Sequence, residues 1–392
     1  MFFQALQHYL KRGHARCKMT SMTLLSRRQL CQWTLALTGL KRSLLANAAS
    51  DDVRNSDDVR DSDDEYPRRV VDTLPSYQPQ APASGVVSIW GHGRRDLPWM
   101  QPLIRLWERG LQRFQPGVSV DYRMYGTSSG IPSLFNGLGD IAILGEEILP
   151  EAAAAFIKAT GYPPLGIEIA TGSLDVRNFD YAQMCFVHAE NPLTRLSLKE
   201  MDGIFGAEHR RGTANIRRWG QLGFSGAWRN LPIVPYSWKL DDSFAFFIQQ
   251  TVLQGSHRWN CDVHEYAHIT RADGSIYDHG QQILDALALD RAGIAIANLR
   301  YASPQVKTLA LSTGDRAPFV TASKRSLIEQ TYPLARTIPA VINRAPGTAV
   351  PAKLREFLGY VLSREGQQAI NQDGKYLPLA RHLLLSQRAK LL

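Results

Sequence analysis

Long apolar runs are missing from this 392-residue chain. The stretch Trp33–Leu40 is closed by Lys41 and Arg42, well short of the roughly 20 residues that a membrane-spanning helix needs. Cysteine is scarce: of four, Cys17 and Cys31 fall in the first 48 residues, leaving Cys185 and Cys261. A fold stapled by disulfides is thereby excluded. The remaining two are free and buried or joined to each other, and the sequence leaves both open. There is no P-loop and no G-x-G-x-x-G, which removes the commonest phosphate-cradling nucleotide sites. No Ser/His/Asp set is laid out with a nucleophile elbow, so no enzyme is expected.

Acid is absent from residues 1–48, which hold eight Lys and Arg. The net charge of +9 belongs largely to that leader, because the body keeps 37 basic against 36 acidic residues. A basic protein of this balance has no global polyanion footprint, and no nucleic-acid partner is expected. The leader carries SRRQLC at Ser26–Cys31, a short apolar run, and Ala46-Asn47-Ala48. Basic arm, apolar core and small-x-small site in that order describe a twin-arginine-like export signal, placed at 1–48. The charged, imperfect repeat DDVRNSDDVRDSDDE follows, then LPSYQPQAPASG. Neither buries enough apolar surface to fold, and 49–84 is expected to be a disordered linker.

From Gly85 the pattern alternates. Strands are expected at Val86–Trp90, Val118–Met124 and Ile141–Leu144, and helices at Pro98–Phe114, Ser129–Asn136 and Glu147–Thr160. In the first helix Leu103, Trp107, Leu111 and Phe114 share a face, and Asp96 stands where a cap belongs. Repeated β-α-β implies an α/β protein whose ligands bind beyond the carboxyl ends of the strands. Two loops there are GHGRRDL at Gly91–Leu97 and GTSSG at Gly126–Gly130.

The second loop places Thr127, Ser128 and Ser129 where a helix begins. Helix N-termini leave backbone N–H groups unpaired and direct positive potential outward. Three hydroxyls and flanking glycines add donors and let a ligand approach the backbone, which suits an oxyanion. The plainer alternative is one capping hydroxyl with the others in water.

Later segments narrow the choice. LGIEIATGSLDVRNFDYAQMCFVHAENPL, ALALDRAGIAIANLRY, YPLAR and FLGYVLSREGQQAINQDGKYLPL follow YGTSSGI…GDIAI in order. Together they resemble the phosphate-binding solute receptors of ABC importers, in the type II periplasmic binding protein superfamily, from about Val86 to Leu379. That resemblance implies a two-lobed fold of two mixed sheets joined by two crossover strands, with the ligand in the cleft. It places lobe one at 85–179 and 331–392, and lobe two at 180–330. Of the family's three anion loops, the first maps to Gly93, Arg94 and Arg95 and the second to Thr127, Ser128 and Ser129. The third maps to WKLDDSF, where Ser243 stands at the family's Thr position and Asp241 and Asp242 at Ser-Gly. The family's preceding Arg is absent, with Lys239 nearby, and the residues after the DIAI strand are Gly145-Glu146. Two like charges ~4 Å apart at an effective dielectric near 20 repel by about 4 kcal/mol, so these carboxylates need cations beside them.

His257, Cys261, His264 and His268 are zinc-ligand types at helical spacing, but the resemblance puts them in a loop, and no metal or cofactor is expected. HRRGTANIRRW, His209–Trp219, is expected to be a solvated loop. The implied function is an exported, monomeric receptor for a small oxyanion, phosphate first, serving a membrane ABC permease. Alternatives are a secreted relative that has lost transport and holds another ligand, and a secreted phosphate-ester hydrolase.

Overall fold

The computed structural model describes residues 56–93, 100–176, 182–241 and 243–392, with side chains from residue 63 onward and none at Ser243. The expected leader, Arg94, Arg95, the capping Asp96 and Asp242 lie outside the described residues. The first elements are α1 (Ser56–Asp72), β1 (Gly85–Gly91), α2 (Gln101–Leu111), β2 (Val118–Arg123), α3 (Thr127–Phe135), β3 (Ile141–Ile143), α4 (Pro150–Thr160) and β4 (Leu165–Thr171). Then come β5 (Met184–His188), β6 (Arg195–Ser197), α5 (Leu198–Phe205), β7 (Val234–Trp238), α6 (Ser243–Thr251), β8 (His264–Tyr266), β9 (Ile269–Thr270), β10 (Ile276–Tyr277) and α7 (His279–Leu287). The chain closes with β11 (Gly293–Ala297), β12 (Val306–Thr308), β13 (Ala310–Ser312), α8 (Lys324–Ile328), β14 (Thr337–Ile342), α9 (Ala352–Val361), α10 (Arg364–Asp373) and α11 (Arg381–Ala389).

Two five-stranded sheets organise these elements. The first runs β2-β1-β3-β14-β4 and the second β12-β5-β11-β7-β8. Both are mixed: β1 pairs in parallel with β2 and β3, whereas β14 runs antiparallel to β3 and β4. In the second sheet β11 is parallel to β7 and antiparallel to β5. Each sheet has its own apolar cluster, one around Ile89, Trp107, Ile143 and Phe357, the other around Phe186, Trp219, Trp238 and Ile296. The chain passes between them twice, and the passages touch: the Gly172 amide donates to the Arg336 carbonyl at 2.9 Å, and Thr171 pairs with Leu377 in both directions. In α2 the buried face is Leu103, Ile104, Trp107 and Leu111. Phe114, expected on that face, lies past the helix end, exposed and edge-on to Tyr77.

The expected disordered linker is a correction. Residues 56–72 form α1, and the Pro-rich piece after it is tied down residue by residue. Val70 joins one apolar cluster while Val71, Leu74 and Tyr77 join the other. Asp63 accepts from the Lys324 and Arg325 amides at 2.8 and 2.9 Å, neutralising the exposed amides at the start of α8. Tyr66 bonds Glu329, and Lys324 pairs with Asp64. Buried Glu356 accepts from the Tyr77 hydroxyl at 2.6 Å and from the Ala81 amide at 3.1 Å, and burial beside it raises the Tyr77 phenol well above its ordinary pKa. Composition misled here because the acidic residues act as caps for another helix, and four apolar side chains suffice once that helix is present.

Candidate functional site

At the carboxyl ends of β1, β2 and β3 three loops meet. The Gly126 amide donates to the Gly91 carbonyl at 3.0 Å, and the His92 amide donates to Ile143 O at 2.8 Å. Gly91 has φ 119° and a Cβ there would stand 2.1 Å from Ile143 O, so only glycine lets β1 turn against β3. Gly130 is close-packed too: a Cβ would fall 2.9 Å from Leu144, which presses the first turn of α3 onto the sheet. His92 is buried, with Nε2 at 2.9 Å from the Tyr376 hydroxyl.

The three hydroxyls at the mouth of α3 have different fates. Thr127 Oγ1 accepts from the Gly145 amide at 3.1 Å, fastening α3 to the loop after β3. Ser129 Oγ donates to Gly126 O at 2.7 Å. Ser128 is exposed. GTSSG matches the letters of G-x-S-x-G, with Ser128 in the middle. Ser128 is nonetheless an ordinary helical residue: His209, Gln254 and Gln330 are the non-glycine residues of positive φ among those described. The strained turn that a nucleophile elbow requires is therefore not built at Ser128.

The residue that sequence reasoning missed is Arg336, the last letter of YPLAR. Its side chain is 2% exposed and grips Glu147 with two bonds, Nε to Oε1 at 3.1 Å and an Nη to Oε2 at 3.0 Å. The same guanidinium lies over the rings of Phe244 and Phe247 in α6, 5.7 and 5.2 Å from their centroids. Arg336 thus reaches from the loop after β3 to the first turn of α6, where the expected second-lobe loop ends. YPLAR is one of the segments that carry the family resemblance, and its arginine is the signal the sequence offers.

On the other side of Arg336, Trp238 stacks on Phe244 at 5.5 Å, and the Gln183 side-chain amide donates to Phe244 O at 3.1 Å. Lys239 forms an ion pair with Asp241 at 2.8 Å, both exposed. That bond holds the Asp241 carboxyl below the usual carboxylate range. Two carboxylates of this region are matched by cations: Glu147 by Arg336 and Asp241 by Lys239. Thr127 is fastened to the loop that carries Glu147, and Lys239 and the backbone start of α6 at Ser243 lie on the segment that follows β7.

Other sequence features take structural roles. Cys185 and Cys261 are free, the first buried and the second exposed, and burial pushes the Cys185 thiol up. In the basic stretch, Arg211 donates to the Thr251 and Val252 carbonyls at the end of α6, and Arg217 to the Gly203 and Ile204 carbonyls. His257, Cys261 and His264 do not share a helical face, because β8 begins at His264.

No family model matches the chain. Among curated proteins it is 26% identical to the phosphate-binding protein PstS of Pseudomonas aeruginosa over 308 residues, covering 78% of this chain and 87% of that protein. It is 24% identical to protein SphX of Synechococcus elongatus over 272 residues, 68% of this chain and 71% of that one. Among solved structures, PstS from Borrelia burgdorferi shares the fold, with TM-score 0.50 at 16% identity, over 76% of this chain and 99% of that one. Two mixed sheets joined by two crossings agree with these likenesses: the chain is similar in sequence to the phosphate-binding protein PstS and shares the two-lobed fold of a PstS structure.

Proposed function

We propose that the protein is an exported, non-catalytic receptor that captures a small oxyanion, phosphate first, between two lobes and presents it to a membrane ABC permease. The lobes are taken as 85–179 with 331–392, and 180–330. The observation that supports this reading best is the reach of Arg336, from Glu147 beside the α3 mouth to Phe244 beside Ser243. One guanidinium makes both contacts, which supports a common ligand for the loops that flank Glu147 and Phe244. In this reading Thr127 and Ser128 bind the anion through hydroxyl and amide hydrogens, Ser129, whose hydroxyl and amide both donate to Gly126 O, joins them by turning its hydroxyl, and Gly93 leaves room for the ligand. Arg94 or Arg95 supplies charge, and Lys239, Asp242 and Ser243 close from the second lobe. Among the described residues no helix is long and apolar enough to cross a membrane, and the receptor works as a monomer in the periplasm or outside the cell.

One feature favours a second reading. Asp241 and Asp242 stand where the family resemblance implies Ser-Gly, with Asp241 paired to Lys239, and a ligand other than phosphate, or a receptor without a transporter, fits that change. Thermal-shift measurement against phosphate, sulfate, molybdate, organophosphates and amino acids separates them. A ligand at 100 times its dissociation constant adds about 2.7 kcal/mol of stability. Phosphate should give the largest shift. A shift from an amine-bearing ligand alone selects the second reading, and turnover of a chromogenic phosphate ester defeats both.

A further inference from the structure

Beside the second-lobe loop stands a group that the receptor reading does not use: His268, Asp278 and His279, whose donor atoms all lie within 4.8 Å of one another. We infer that these three residues form a binding site for a divalent transition-metal ion of the zinc class. Two imidazoles and one carboxylate are ligand types for such an ion, leaving a position for water or another group. His268 Nδ1 lies 3.6 Å from Asp278 Oδ2 and accepts from the His279 amide at 3.3 Å, so an ion held at Nδ1 would replace that amide bond.

The site is supported from behind. Asp278 and His279 are buried at the start of α7, and Asp278 Oδ1 accepts from the Gly280 amide at 2.8 Å, which leaves Oδ2 turned toward His268. The Gln282 side-chain amide donates at 2.8 Å to both Ala267 O and Tyr277 O, the residues immediately before His268 and Asp278. One side chain thus clamps the two ligand-bearing segments together, the outer-shell restraint that fixes metal ligands. The His268 and His279 rings lie face to face at 4.0 Å, so one must turn for both lone pairs to meet a single ion. His268, half exposed, has the room. His279 also lies 5.7 Å from Phe244 and 6.3 Å from Trp238, ring to ring, so an ion here stiffens the start of α6.

Equilibrium dialysis of the full-length protein against Zn2+, and titration with Co2+ followed by its visible absorption, test the assignment. The expected result is about one equivalent bound with bands of a four- or five-coordinate cobalt centre. His268→Ala, at a half-exposed loop position, should weaken binding at least tenfold without changing the fold. Asp278→Asn should do the same while keeping the helix cap, since Asn also caps, and circular dichroism verifies that each variant is folded. Absence of stoichiometric binding to the wild type overturns the inference. So does binding unmoved by His268→Ala, or binding lost instead in His264→Ala.

Discussion

The mouths of α3 and α6 answer to each other across Arg336 and are built from opposite materials. Both helices follow a strand of a five-stranded sheet. At α3 the chain offers Gly126, Thr127, Ser128 and Ser129, with backbone amides and hydroxyls close to the surface. At α6 it offers Trp238 stacked on Phe244 and an exposed Lys239–Asp241 pair. Small polar residues let a ligand approach the amides and supply direct hydrogen bonds. Large rings and a matched ion pair supply shape, and a charge balance that changes with ligand and pH. In the proposed receptor this difference would assign grip and discrimination to different lobes, with α3 holding the anion and α6 deciding which anion permits closure.

Removing the link between the two mouths should have the largest effect. Arg336→Met keeps much of the side chain's length but leaves Glu147 without its partner and removes the cation from Phe244 and Phe247. Breaking a buried pair costs about 3–5 kcal/mol. Glu147 is about a third exposed and recovers part of that from water, so a loss of about 2–3 kcal/mol by denaturant unfolding is expected. Anion affinity should fall as well, because Glu147 becomes an unmatched negative charge beside the α3 mouth. Glu147→Gln in the Arg336→Met background should restore part of both. If the double variant is no better than the single, Arg336 acts through packing alone.

The next effect sharpens the comparison from the α3 side. Ser128→Ala with Ser129→Ala should weaken anion binding at least tenfold, about 1.4 kcal/mol, with little change in the melting point of the unliganded protein. Thr127→Val should instead lower that melting point, since its hydroxyl accepts the Gly145 amide and an unpaired buried amide costs about 1–3 kcal/mol. Calorimetric titration of the serine pair with unchanged affinity removes α3 from the site.

The same division explains what was readable beforehand. The strands around Ile89, Val120 and Ile143, the helix at Thr127 and the hydroxyl cluster announced themselves through local pattern: alternation, glycine placement and a capping run. Arg336 was hidden because its role depends on Glu147, 189 residues away in sequence, and no periodicity encodes such a pairing. Likewise α1 was hidden because its Asp63 caps a helix 261 residues on. Helical spacing suggested His257, Cys261, His264 and His268 as a group, whereas the fold sets His268 beside Asp278 and His279, which no single-segment pattern joins. Local chemistry was legible, and partnerships across the fold were not.

The smallest effect is expected at the α6 mouth. Lys239→Met frees Asp241 from its ion pair, but both groups are exposed and such pairs add little, so stability should hardly move. Phosphate affinity should fall by less than about tenfold and sulfate affinity by a similar factor, each more at low salt than at high. The pH dependence carries the finer test. Asp241 is held below the ordinary aspartate range by Lys239, so in the wild type it stays ionised, and the pair intact, as pH falls through the range where free aspartates take up protons. In Lys239→Met that depression is lost, Asp241 protonates at higher pH, and anion affinity should recover on mild acidification. The wild type should show no such recovery over the same interval. Identical pH profiles for the two proteins mean that Asp241 does not face the ligand, and the selective role then passes from this pair to the rings of Trp238 and Phe244.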